Sequence, residues 1–121
     1  MEKILVIDDE DHLRLLYKLE LERQGYEVSC VDNGRDAMPI TLTFNPDLII
    51  LDIMMPLGDG IDYLRWLVGN HIQIPVIIYS AYAHYKSNFI SWGADAYLIK
   101  SSDLEELKTE VKKILQQRQL F

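Results

Sequence analysis

The 121-residue chain has a single cysteine, Cys30. With no second thiol, an internal disulfide is excluded, and a reducing cytosol suits the sequence. Cys30 lies in YEVSCV, which reads as a strand, so a small buried core thiol is expected. Positive charge is also scarce: 12 Lys and Arg against 19 Asp and Glu leave a formal net charge of −7. A nucleic-acid surface needs clustered Lys and Arg, so direct DNA or RNA binding is not expected of this domain. No apolar run approaches the roughly 18 to 20 residues of a membrane span. The N-terminal MEKILVIDD is too short and too acidic for a secretory signal. These absences point to a cytoplasmic chain without a membrane-embedded part. No repeat, low-complexity tract or linker interrupts it, and its length suits one domain over residues 1–121.

What the sequence does contain is alternation. Apolar runs occur at 3–8 (KILVID), 26–31 (YEVSCV), 47–52 (DLIILD), 74–80 (IPVIIYS) and 95–100 (DAYLIK). Three are continuous Ile, Leu and Val, as expected of strands covered on both faces. Segments of helical length separate them, which predicts a parallel sheet with right-handed crossovers. The first helix is expected from Asp11 to Gln24, stopped by Gly25, with Leu13, Leu16, Tyr17 and Leu21 on the buried face. Leu15 and Leu19 fall on the opposite side. Pro39 predicts a kinked or short, irregular second helix. The third is expected over Ile61 to Val68, and the fourth over Tyr85 to Trp92. The last opens at SSDLEEL, where Asp103 and Glu106 are spaced as a capping box. Leu104, Leu107, Val111, Ile114 and Leu115 form its apolar stripe.

In an open parallel sheet, ligands bind beyond the carboxyl ends of the strands. Asp8, Asp9 and Glu10 follow the first strand, Asp52 the third, Ser80 the fourth and Lys100 the fifth. An Asp after a strand is often only a helix cap, a Ser a turn residue and a Lys a solvated charge. All of these at matching strand ends are poorly explained as coincidence. Carboxylates on one rim suit Mg²⁺, a hard ion that takes oxygen ligands and keeps several waters.

Together with DIMMPLGDG (52–60), SAY (80–82) and GADAYLIK (93–100), these acids resemble the receiver domains of two-component response regulators. Asp52 is followed four residues on by Pro56 and eight on by Gly60, a specific spacing. The resemblance covers essentially the whole chain. It implies an α/β, flavodoxin-like, doubly wound sheet of five parallel strands in the order 2-1-3-4-5, with five helices. It implies a signalling switch rather than an enzyme, in which Asp52 accepts a phosphoryl group from a sensor histidine kinase or a histidine phosphotransfer protein. Asp9, Asp52 and the Met54 backbone carbonyl would ligate Mg²⁺, with Asp8 acting largely through water. Ser80 would hydrogen-bond the phosphoryl group, Lys100 would pair with the carboxylate and then the phosphate, and Tyr97 would be the switch aromatic. Met54 and Tyr82 flank the site at positions that influence hydrolysis, and their bulk suggests a long-lived phospho-form.

The resemblance also implies surfaces. The first helix would dock on the phosphodonor's helical bundle, giving Leu15 and Leu19 a use. The fourth helix, fifth strand and last helix would control an output domain or partner, and phosphorylation could drive homodimerisation. One departure stands out. The family usually has a cis proline after the strand-five lysine, where this chain has Ser101, and a non-proline cis bond costs ~2.5–4 kcal/mol. Two rivals remain. A small Mg²⁺-dependent phosphatase needs a second Asp two residues after the nucleophile, where Met54 stands. A degenerate receiver serving only as an interaction module would have lost the acids or Lys100.

Overall fold

The Ile, Leu and Val runs form the sheet. In the computed structural model, which describes residues 1–53, 55, 59–83, 88 and 92–119, the strands are β1 (Lys3–Ile7), β2 (Glu27–Val31), β3 (Leu48–Leu51), β4 (Val76–Ser80) and β5 (Ala96–Ile99). They pair in the order β2-β1-β3-β4-β5, all parallel. The described helices are α1 (Asp11–Arg23), α2 (Gly34–Phe44), α3 (Asp59–Gly69) and α4 (Glu105–Gln119). Four helices thus stand among the described residues against the five expected. The segment expected as the fourth, Tyr85 to Trp92, lies largely outside them.

Residues alternate across the sheet with period two, and each face has its own core. Ile4, Val6, Ile50 and Tyr79 pack with Tyr17 and Leu21 of α1 and with Leu107 and Val111 of α4. Leu5, Ile7, Ile49 and Tyr97 pack with Ala37 of α2 and with Tyr63 and Leu67 of α3. Each fully buried apolar side chain contributes about 1.5–3 kcal/mol. Cys30 is half-buried against the first core, with its Sγ 3.8 Å from the Arg14 carbonyl. Burial pushes its thiol pKa up.

Four local expectations are corrected. Leu16 was placed on the buried face of α1 but is 38% exposed: the stripe that reaches the sheet runs through Leu13, Tyr17 and Leu21. Pro39 does not break α2, which runs unbroken for 11 residues. The i→i−4 bond it cannot donate would go to the Arg35 carbonyl, and both residues are exposed, so water can serve that carbonyl. The helix is held at its ends, where Asn33 Oδ1 accepts the Asp36 N–H at 2.8 Å and Asn45 caps at φ 53°. The capping box at α4 is not formed. Asp103 Oδ1 accepts the Glu105 N–H at 2.9 Å, but the Asp103 N–H goes to Ser101 Oγ at 3.1 Å rather than to Glu106. Finally, α3 starts at Asp59, two residues earlier than expected.

Candidate phosphoryl-transfer site

β1 and β3 run in register, Ile7 opposite Leu51, so the residues after them, Asp8 and Asp52, leave the sheet side by side. Their backbones stay pinned: Asp52 N–H donates to the Ile7 carbonyl at 2.9 Å and Asp8 N–H to the Val31 carbonyl at 3.2 Å. At the other edge Ser80 ends β4 opposite Ile99, and Lys100 N–H donates to the Ser80 carbonyl at 2.7 Å. Asp8, Asp52 and Ser80 are all buried, Asp52 with 5% of its surface exposed.

Lys100 joins the rim. Its Nζ lies 2.7 Å from Asp8 Oδ2 and 3.1 Å from Asp52 Oδ2. Burial alone would lower the ammonium pKa. The Asp8 hydrogen bond and the charges of Asp52 and Asp8 outweigh it, and the net shift is upward. The lysine was expected to pair with Asp52; the structure divides it between Asp52 and Asp8. The Lys100–Ser101 peptide is trans, so the departure from the family's proline leaves Lys100 within reach of both carboxylates.

The acids on β1's side form a second grouping. Asp8, Asp9 and Glu10 each bring a carboxylate oxygen within 4.8 Å of one another. An all-oxygen, partly exposed donor set fits a hard divalent cation that keeps part of its water shell. Glu10, expected with Asp8 and Asp9 just after the first strand, brings its carboxylate into this cluster. Met54 lies outside the described residues. The β1–α1 turn is braced by Arg14, whose Nη1 donates to the Asp8 carbonyl at 2.7 Å and whose Nη2 pairs with Asp11. Sequence reading missed this role, because an arginine on an amphipathic helix ordinarily reads as solvated.

On the far rim, Ser80 Oγ accepts the Tyr82 N–H at 3.2 Å. Tyr97 is buried on the α2/α3 side, and its hydroxyl donates to the Tyr82 carbonyl. The residues expected at the switch are thus linked through Tyr82, itself 46% exposed. Trp92 packs partly buried on that same side, while Tyr85 and Phe89 lie outside the described residues. On α1, Leu15 and Leu19 are 60% and 49% exposed. A cavity of about 600 Å³ lies at the other end of the sheet, between the α3–β4 connection and the end of α4, and includes none of the rim residues.

This arrangement of fold and rim is that of a receiver-type α/β domain, and comparison with known proteins agrees. The family of response regulator receiver domains matches residues 4–112, and the chain belongs to that family. It is 37% identical over 116 residues to the regulatory protein AtoC of Escherichia coli, covering 94% of this chain and 25% of AtoC. It is 35% identical over 120 residues to the alkaline phosphatase synthesis transcriptional regulatory protein PhoP of Bacillus subtilis, covering 98% of this chain and 50% of PhoP. The chain therefore spans a quarter to a half of these relatives. Among solved structures it is similar to the response regulator TrrA of Thermotoga maritima in complex with Mg²⁺-BeF, at 41% identity and TM-score 0.87, covering 94% of this chain and 99% of that one. It is also similar, at 42% identity and TM-score 0.85, to a structure of the histidine kinase ThkA in complex with TrrA, covering 95% of this chain and 99% of that one. No described helix is long and apolar enough to cross a membrane.

Proposed function

We propose that residues 1–121 act as one cytoplasmic receiver domain in which Asp52 accepts a phosphoryl group from a phosphohistidine on a sensor kinase or phosphotransfer protein. The observation that carries this reading is the buried Asp52 carboxylate with the Lys100 ammonium 3.1 Å away. An Asp52 oxygen attacks phosphorus, the P–N bond of the donor breaks, and the histidine nitrogen keeps the electron pair. The product is an acyl phosphate on Asp52. Phosphoryl transfer asks for positioning and charge neutralisation more than for covalent machinery. Lys100 supplies a fixed cation where anionic nucleophile and anionic donor meet. Ser80, whose hydroxyl oxygen accepts the Tyr82 N–H at 3.2 Å, would donate its own proton to a phosphoryl oxygen. Asp9 and Asp8 would hold Mg²⁺, joined by Asp52 and the Met54 carbonyl, and Glu10 is near enough to contribute through water. When bound, the ion neutralises charge on the transferring group.

The likeness to TrrA, solved with Mg²⁺-BeF and with a histidine kinase, supports both the metal and the partner. Tyr97, buried and bonded to the Tyr82 carbonyl, would carry the phosphorylation state to the β5–α4 face, and from there to an output domain, a partner or a second copy.

The test is incubation with Mg²⁺ and acetyl phosphate, read by intact mass. The expected result is a gain of one phosphoryl group, lost in Asp52→Ala and lost in excess chelator. Turnover of the donor without an adduct would favour the phosphatase reading, and full phosphorylation in chelator would remove the metal's role.

A further inference from the structure

Tyr79 precedes Ser80 on β4, so its side chain leaves the opposite face of the sheet, under α1 and α4. The ring is buried and meets Tyr17 of α1 edge-on, with centroids 5.6 Å apart and planes at 66°. That packing determines where the hydroxyl ends. The oxygen lies 3.3 Å from Ser101 N, whose N–H donates to it, and 3.5 Å from the Ser101 carbonyl, which accepts from it. One phenol therefore serves both backbone polar groups of the residue after Lys100. On the other side, the Lys100 N–H is bonded to the Ser80 carbonyl at 2.7 Å. The lysine backbone is anchored fore and aft by consecutive residues of β4. Its flexible side chain runs from between those anchors to Asp8 and Asp52. The Ser101 Oγ in turn accepts the Asp103 N–H at 3.1 Å, so the start of the α4 turn depends on the same point.

We propose that Tyr79 is the positioning residue for Lys100: its hydroxyl holds the Ser101 peptide so that the ammonium reaches both carboxylates. This rests on the reading of Asp52 as phosphoacceptor. The reason is physical. Ser101 is exposed, so its N–H could equally face water, and the bond to the Tyr79 hydroxyl is what ties it to β4. A serine leaves the loop more backbone freedom than the family's proline would. A displacement of the loop by about 1 Å is enough to cost up to ~100-fold in a reaction that depends on placement. The hydroxyl satisfies the donor and removes the freedom together.

The test is Tyr79→Phe, which keeps the ring and its packing on Tyr17. Phosphorylation by acetyl phosphate in Mg²⁺ is expected to slow by about tenfold. The Ser101 amide is expected to exchange with solvent faster than in the wild type. In a Lys100→Ala background the same substitution is expected to slow the residual reaction no further, because its effect passes through Lys100. Equal slowing in both backgrounds would mean that the hydroxyl supports the fold without acting through the lysine, and the proposal falls. An unchanged rate, or an unchanged Ser101 exchange rate, overturns it as well. A wild type that takes no phosphoryl group removes the reading of Asp52 itself. A phosphorylated wild type with an unaffected Tyr79→Phe variant removes only the role of Tyr79.

Discussion

At the scale of single residues, burial sets the electrostatics of the rim. Lys100 sits between two buried carboxylates, so a fixed cation offsets the hydration that burial takes from each acid. Tyr63 shows the same principle away from the site. It is fully buried, and its hydroxyl lies 2.6 Å from Thr41 Oγ1, which itself donates to the Ala37 carbonyl at 2.6 Å. Burial pushes the Tyr63 phenol up to about 12 from 10.0, and the Thr41 hydrogen bond pulls weakly the other way. The unfolded chain begins to release this proton at pH 10 and the folded chain only near pH 12. Between those values the folded state binds more protons, so stability falls as pH rises. The contribution is complete below pH 10 and has lost about 2–3 kcal/mol once pH passes the folded value. Urea denaturation at about pH 9 and about pH 11 should show a steeper alkaline decline in the wild type than in Tyr63→Phe. Equal declines would place the alkaline sensitivity elsewhere. Of the site residues, Asp8, Asp9, Asp52, Ser80 and Lys100 were legible in the sequence because each follows or ends a strand. Arg14 and Tyr79 were not: one resembled a solvated charge and the other strand filling, and only their long-range partners distinguish them.

At the scale of elements, close approach decides where Asp52 stands. Gly60, in the first turn of α3, packs so tightly on the segment after β3 that an added Cβ would lie 2.7 Å from Ile53 Cα and 2.8 Å from the Asp52 carbonyl oxygen. The spacing of eight residues between Asp52 and Gly60, specific as a motif, has this steric cause. An alanine in a helix gains up to about 1 kcal/mol over glycine from its smaller backbone entropy loss. Overpacking against rigid backbone costs typically ~1–3 kcal/mol, so the clash is expected to win. Gly60→Ala should lower the urea midpoint and slow phosphorylation, because α3 can yield only by pushing on Asp52. A variant as stable and as reactive as the wild type would show that α3 shifts without disturbing the acid. The element pattern was largely readable, strand by strand and helix by helix. What failed were local departures: the tolerated Pro39 on an exposed face, the replaced capping box at Asp103, and the exposed Leu16.

At the scale of the whole molecule, the parallel sheet puts the rim of Asp8, Asp52, Ser80 and Lys100 at one end and leaves α1 beside it with Leu15, Leu16 and Leu19 facing solvent. These leucines share the solvent side of α1 with Asp11, Glu22 and Arg23 and lie outside both cores. If they form the docking surface for a helical phosphodonor, replacing them with charge will spare the chemistry and impair the encounter. The double variant Leu15→Glu, Leu19→Glu is expected to be phosphorylated normally by acetyl phosphate. By a cognate kinase it should be phosphorylated at least about tenfold more slowly, the equivalent of ~1.4 kcal/mol of lost contact. Parallel loss with both donors would point to a damaged fold, and no loss with the kinase would move the docking surface elsewhere.

The class of fold, the strand ends at which chemistry could occur and the residue types there were readable from the amino-acid order alone. They were readable because strand and helix periodicities, and the rule that ligands gather at carboxyl ends, are local or topological. The long-range contacts came from the folded chain alone: how Lys100 is shared between Asp8 and Asp52, and that Tyr79 bonds to the Ser101 backbone after the lysine. Lys100 and Asp8 are 92 residues apart in the chain, and no local pattern spans that distance. The order of the strands brings them together, and the depth of burial makes the contact strong.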